Sequence, residues 1–341
     1  MSGARTAGSA IAPGATPAGA AGHHGQGGGE GDAIAAVLRQ VRRVEIVARR
    51  AIDDLLAGQY HSTFRGQGME FDEVREYQPG DEIRTIDWNV TARSGTPFVK
   101  RYREERELTV QFLVDESGST AFGSGGETRR SAQAKCAALL MFTALVNQDK
   151  VALATFADGP RGYWPPRKGR GAVLRLVREL FAPPPPPAPT RIAAALDWLN
   201  RVQRRRCVAF LLTDFLDPEL ATPAFSRTLA VTARRHDLIA VTLIDPREVE
   251  LPDAGLVEFA CLESGARRQV DSGNARVREW WRRRHAAREA TLDELLRRCG
   301  VDRLRVALPA ADAAVRPGRD ALLDAFSTEL KALFRRRGRR R

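Results

Sequence analysis

Asp115, Ser117 and Ser119 occupy alternate positions of the run Asp115-Glu116-Ser117-Gly118-Ser119. One carboxylate and two hydroxyls so spaced can form an arc of hard oxygen donors around a small cation. The same residues can equally end a strand and cap the helix after it, because Asp and Ser side chains accept from free backbone N–H groups. A second carboxylate shifts that balance. The apolar segment 207–212 runs into Thr213-Asp214-Phe215-Leu216-Asp217, which puts Asp214 at the end of another buried strand. Asp217 stands before Pro218 and reads as a helix N-cap. Between the two loops, the proline-rich stretch ends at Pro189-Thr190 and a helix begins. The Thr190 hydroxyl can cap that helix or, beside the other loops, join the donor set.

Three loops so far apart in the chain need elements that bring them together. From Leu108 onward, predicted strands at 108–114, 150–156, 207–213 and 237–244 alternate with predicted helices at 129–147, 172–181, 192–204 and 218–234. That alternation predicts an α/β fold with a doubly wound, mostly parallel sheet. In such sheets ligands bind outside the carboxyl ends of the strands, where the strand order reverses. Short strands at 256–261 and 267–270, joined by a turn at 263–266, a long helix at 274–299, a strand at 303–306 and a helix at 320–335 complete the pattern.

Upstream, apolar residues at helical spacing predict an amphipathic helix over 33–56. Residues 62–105 are rich in Phe, Tyr, Trp, Ile and Val but broken by glycine and Pro79-Gly80, which predicts turns and short strands. Residues 1–31 are Gly, Ala, Ser and Pro of low complexity, too poor in apolar area to offset ordering entropy, so disorder is expected. The expected organisation is a tail at 1–31, a helix and irregular segment at 32–105, the α/β domain at 106–312, and a C-terminal helix with a basic tail at 313–341.

Composition narrows the class. With 341 residues, 43% of them hydrophobic, the chain can bury a real core. Cys136, Cys207, Cys261 and Cys299 form no CxxC pair, so neither a zinc site nor a disulfide framework is indicated, and they read as small hydrophobes. Apolar runs are strand-length, well short of a membrane span, and the N-terminus lacks the layout of a secretory leader; a cytoplasmic location is the expectation. The net charge of +12 comes largely from arginines on predicted helices and in the run 335–341. No aromatic-and-basic recognition motif accompanies it, so specific nucleic-acid binding is not expected, while peripheral membrane contact through the tail stays open.

The pattern Asp115-x-Ser117-x-Ser119, then Thr190, then Asp214 resembles the metal-ion-dependent adhesion site of von Willebrand factor A domains. The stretch Gly68 to Arg93, with Glu76-Tyr77-Gln78-Pro79-Gly80-Asp81 and Thr85-Ile86-Asp87-Trp88 at its centre, resembles the hallmark block of the bacterial family of domain of unknown function fifty-eight, which contains an A-domain-like module. This resemblance covers roughly residues 35 to 335. It implies a site in which Ser117, Ser119 and Thr190 hydroxyls bind Mg²⁺, with Mn²⁺ the other candidate ion, and Asp115 and Asp214 act directly or through water. It further implies a protein partner, a MoxR-type AAA+ ATPase, that supplies a carboxylate to the metal, with this chain acting as adaptor. Glu116 departs from the pattern and, turned inward, would block the partner's place. Within the hallmark block, Ile83, Ile86 and Trp88 are expected to pack, and Arg75, Asp81, Arg84, Asp87 and Arg93 to pair with one another or to form a docking surface.

Enzyme chemistry fits these residues less well. A haloacid-dehalogenase-type phosphotransferase needs a second Asp where Ser117 stands, the nucleophile elbow GxSxG lacks its first glycine, and no GxxxxGK[ST] segment is present. The chain is therefore read as a non-enzymatic binding module. The alternatives are a metal-dependent hydrolase using Asp115 and Asp214, and an anionic membrane or nucleic-acid binder using the arginine-rich tail.

Overall fold

The computed structural model describes residues 39, 41–42, 44–46, 68–105, 108–263, 265–310 and 320–339. The expected tail 1–31 and most of the expected helix 33–56 lie outside these residues; those of the helix that are described are helical, with Val41 and Val44 buried.

Strand β1 (Gly68–Glu76) pairs antiparallel with β2 (Phe98–Glu105). Between them lies a helix, Trp88–Ser94, where the sequence predicted only turns and short strands. Asp87 starts it by accepting from the Asn89 and Val90 N–H groups, and Gly95, at φ 77°, ends it in the left-handed region that glycine reaches without strain. Asp87 also pairs with Lys100 at 3.2 Å, and Arg75 grips Asp81 through two bonds of 2.9 and 2.6 Å. Of the expected charge pairs Arg75–Asp81 is present, while Asp87 pairs with Lys100 outside the expected set; of the apolar residues Ile86 is half-buried, but Ile83 and Trp88 do not pack as expected. Ile83 and Trp88 are each 67% exposed. They sit on a three-residue turn of 3-10 helix and a seven-residue helix that bury none of their own side chains; Asp87 caps the helix, while the turn has no side-chain cap.

The central sheet is built from β3 (Thr109–Asp115), β4 (Lys150–Phe156), β5 (Pro160–Arg167), β6 (Val208–Leu212), β7 (Asp237–Ile244) and, after the separate hairpin of β8 (Leu256–Ala260) and β9 (Arg267–Asp271), β10 (Asp302–Ala307). Its strand order is β10-β7-β6-β3-β4-β5, parallel except for the edge strand β5. The doubly wound, mostly parallel sheet is therefore present. Strand β5 went unpredicted because Pro160, Pro165 and Pro166 read as breakers; an edge strand tolerates them, having one side with no ladder to donate to.

Alternate residues of the strands feed two cores. Phe112, Val114, Phe210, Leu212, Ile239 and Val241 face one side, packed with the helices Arg129–Val146, Arg170–Leu180 and Ala321–Arg339. Leu113, Ala209, Leu211, Leu238 and Ala240 face the other, against the helices Ile192–Val202, Pro223–Arg235 and Ala275–Cys299. Strands covered on both faces explain the continuous apolar runs in the sequence. The C-terminal helix belongs to the core through Leu322, Phe326, Leu330 and Leu333, and its arginines are not all a solvated tail. Arg337 donates to Asp237 at 2.9 and 2.8 Å and to Asp302 at 2.7 Å, tying the helix end to two strands. Of the cysteines, Cys136 and Cys207 are buried as expected, Cys299 is half-buried and Cys261 is exposed.

Candidate functional site

Strand β3 leads to β4 on one side, and the chain later returns to place β6 on the other. The strand order therefore reverses between β3 and β6, and this switch point is where an α/β sheet opens a crevice. Asp115 ends β3, and Thr213 and Asp214 follow β6 directly. The loop turns sharply there: Phe215, fully buried, has φ 54°, a left-handed conformation rare for a bulky residue.

Asp115 is inaccessible to solvent and its carboxylate is held on both oxygens, Oδ1 accepting from the Ser117 N–H at 2.8 Å and Oδ2 from the Thr213 hydroxyl at 2.6 Å. Burial first, and the neighbouring Asp214 charge second, push its carboxyl up to about 7 against the pull of those hydrogen bonds. Ser117 opens a short 3-10 turn, Gly118–Ala121, without capping it; the Ser117 hydroxyl faces the Ser119 hydroxyl at 3.0 Å. The following helix takes Thr128 as its cap instead, so the capping alternative for Ser117 and Ser119 falls away.

Thr190 reaches the same place because Ala188 accepts from the Gly118 N–H at 2.9 Å and Arg191 donates to Ala157 at 2.8 Å. It does not cap its helix either. The Ile192 N–H at the helix start is taken by Asp217 Oδ2 at 2.7 Å, while Asp217 Oδ1 caps the next turn through Glu219, so the expected N-cap serves two elements. The buried Thr190 hydroxyl is left to donate to Glu263 Oε1 at 2.9 Å.

The sequence reading missed two partners of this site. Arg129, the first residue of its helix, is 2% exposed in its side chain and donates to the Ser119 carbonyl at 3.3 Å and to Asp214 Oδ2 at 3.2 Å, with an ion pair to Glu248 and the Phe122 ring 5.3 Å away. Asp214 is therefore neutralised in part by a guanidinium. Glu263 is the other. Burial chiefly, with the Asp214 charge adding, raises its carboxyl above the ordinary value despite the Thr190 bond. Glu116, which would block the site only if turned inward, turns toward Arg130, 3.7 Å away.

The donor set fits a hard, small cation. Among the described residues no three His, Cys, Asp or Glu side chains cluster closely enough to hold a metal, so an ion bound here would need hydroxyl ligands as well. Two oxygens 3.0 Å apart match the edge of a Mg²⁺ octahedron, in which bonds of about 2.1 Å place neighbouring ligands about 3.0 Å apart. Ser117, Ser119 and Thr190 would hold the ion, with Asp115 and Asp214 supplying charge behind them.

The family model described as "protein of unknown function DUF58" matches residues 73–291. The uncharacterized protein Rv1480 of Mycobacterium tuberculosis is 34% identical over 262 residues, which span 76% of this chain and 81% of that protein. An uncharacterized protein of Mycobacterium avium, MAV169, is 36% identical over 138 residues, 40% of this chain and 79% of its own length. Among solved structures, the conserved hypothetical protein BatB of Bacteroides thetaiotaomicron matches at TM-score 0.42 and 13% identity, over 67% of this chain and all but 1% of that one. A von Willebrand factor type A protein of Catenulispora acidiphila matches at TM-score 0.35 and 14% identity, over 43% of this chain and 35% of the other. No helix among the described residues is long and apolar enough to cross a membrane.

Proposed function

We infer that this chain, which belongs to the DUF58 family of proteins of unknown function, is a non-enzymatic protein-binding module in which two strand-end loops and the loop before the helix Ile192–Val202 hold Mg²⁺, or Mn²⁺ in its place, for a partner's carboxylate. The observation that carries this reading is the 3.0 Å pair of Ser117 and Ser119 hydroxyls above a buried Asp115. A bound Mg²⁺ supplies a Lewis-acidic position from which a partner's oxygen can displace water. Asp115 is poorly placed as a nucleophile, because it is buried and each of its oxygens accepts a hydrogen bond. The hydroxyl partners of Ser117 and Thr190 are Ser119 and Glu263, not a histidine that could activate them.

Beside Asp214 runs a cleft of about 450 Å³ lined in part by Phe215, Leu216, Leu292, Leu295, Arg284 and Arg288. The walls are largely apolar and their charges are mixed, Arg284 and Arg288 beside Asp214, Asp217 and Glu289, which suits a partner segment with apolar side chains. The adhesion-site resemblance points to a MoxR-type AAA+ ATPase as that partner, and to an adaptor role in a chaperone-like or maturation system.

Size-exclusion chromatography of this chain with a purified MoxR-type ATPase provides the test. A complex is expected in Mg²⁺ and is expected to dissociate in EDTA and with Ser117→Ala. A complex equally stable in all three conditions rejects the metal bridge, and no complex in any of them rejects the partner.

A further inference from the structure

Strands β8 and β9 form a ribbon of their own, hydrogen-bonded to no strand of the central sheet. Its residues are mostly exposed, with Leu256 68% so, and a two-stranded ribbon of this kind has little intrinsic stability. Its base is closed by the Ser272 N–H donating to the Gly255 carbonyl at 2.7 Å, and Phe259, next to the last residue of β8, stacks on Trp281 of the long helix at 5.4 Å between ring centroids. Its tip lies over the Ser117–Ser119 loop. A methyl group on Gly118 would come within 2.6 Å of the Leu262 carbonyl oxygen, so only glycine lets the tip settle there. Cys261 and Leu262 point outward, yet Glu263 turns in, half-buried, and takes the hydrogen of the Thr190 hydroxyl.

We propose that Glu263 is a ligand of the cation site carried by this chain itself, filling the position a partner's carboxylate would take, so that the β8–β9 ribbon must lift before a partner can bind. The proposal rests on the metal-binding reading above. Three observations carry it. Glu263 is one hydrogen bond from a hydroxyl assigned to the ion, and a threonine can donate its hydrogen to a carboxylate while its lone pair faces a cation. The backbone of the tip contacts the glycine between the two serines. The ribbon pairs with no strand of the central sheet, so it can swing by giving up the Phe259–Trp281 stack and the Glu263–Thr190 bond without disturbing the sheet.

Mn²⁺ serves as the probe, because it binds oxygen sites like those of Mg²⁺ and its water-proton relaxation reports the number of exchanging waters it carries. Wild-type and Glu263→Ala full-length chains are titrated with Mn²⁺, following relaxation enhancement, with circular dichroism to confirm folding. The expected result is an affinity about tenfold weaker in Glu263→Ala, together with a higher relaxivity of the bound ion, by roughly one additional water. Adding acetate should lower that relaxivity in the variant and leave the wild type unmoved. A weaker affinity with unchanged relaxivity overturns the proposal, since Glu263 would then only orient Thr190. Equal affinity and relaxivity in both proteins also overturn it, while leaving the metal site intact. No Mn²⁺ binding by the wild type rejects the metal reading itself.

Discussion

Asp115→Asn and Ser117→Ala each remove about half or more of the thermal stabilisation that Mg²⁺ confers on the wild-type chain. An ion that binds only the folded protein stabilises it by about 2.7 kcal/mol at a hundred times its dissociation constant. For a domain of this size that is a rise in Tm of roughly 5 to 10 °C. Ser117→Ala deletes one oxygen of the 3.0 Å hydroxyl pair, and Asp115→Asn removes the buried charge behind it. Each should weaken Mg²⁺ by about 10- to 100-fold, the range found when supporting groups of metal sites are altered. The Asp115→Asn variant makes a second, metal-free prediction. Burial and the Asp214 charge raise the Asp115 carboxyl from 3.8 to about 7. The folded state thus keeps a proton that the unfolded chain releases; this group's contribution is fully present below pH 3.8 and is lost as pH rises to about 7. Urea unfolding at about pH 5 and about pH 8, in EDTA, should show a decline for the wild type that is smaller in Asp115→Asn. The same decline in both proteins would contradict the assignment.

Arg129→Met destabilises the fold by about 3 to 5 kcal/mol, the cost of breaking a buried ion pair from one side. Arg129 is 2% exposed and is shared between Asp214 and Glu248, so its loss strands two carboxylates that the core surrounds. The corresponding drop in Tm is on the order of 10 °C. Arg129→Lys should recover little, because a point charge on a flexible stem cannot reproduce a planar fork with partners on two sides. By contrast, Arg297→Met, at an arginine 74% exposed and paired with Glu294 on the same helix, should shift stability by less than about 1 kcal/mol. Thermal or urea unfolding of the three variants checks this directly. Equal effects of Arg129→Met and Arg297→Met would show that the buried network is not what holds the loops. Mg²⁺ should restore part of the Arg129→Met loss, since a cation near Asp214 replaces some of the missing positive charge.

Most of this architecture was readable from strand-length apolar runs alternating with helical patterns, because strands buried on both faces leave continuous hydrophobic segments. Asp115 and Asp214 were legible for the same reason: each ends such a run, and an α/β sheet collects its strand ends in one crevice. What the sequence hid follows a physical rule. Strand β5 carries prolines that only an edge position excuses, and no local pattern reveals which strand becomes the edge. Ile83 and Trp88 are apolar without being buried, on short elements that bury none of their own side chains. Arg129 looked like one more arginine on a helix face, and Glu263 like part of a turn; both owe their roles to contacts between segments distant in the chain, which composition and spacing do not encode. Glu116 stands next to the motif, yet the carboxylate that bonds Thr190 is Glu263, from a distant hairpin.

The most direct test of a cation held by the three loops is a crystal of the full-length chain grown with Mn²⁺ and measured at a wavelength where manganese scatters anomalously. The account predicts one strong anomalous peak at the carboxyl ends of β3 and β6, about 2.0 to 2.4 Å from the Ser117 and Ser119 hydroxyl oxygens. No peak there, or a peak only at surface carboxylates while Ser117 and Ser119 keep their mutual hydrogen bond, would contradict it.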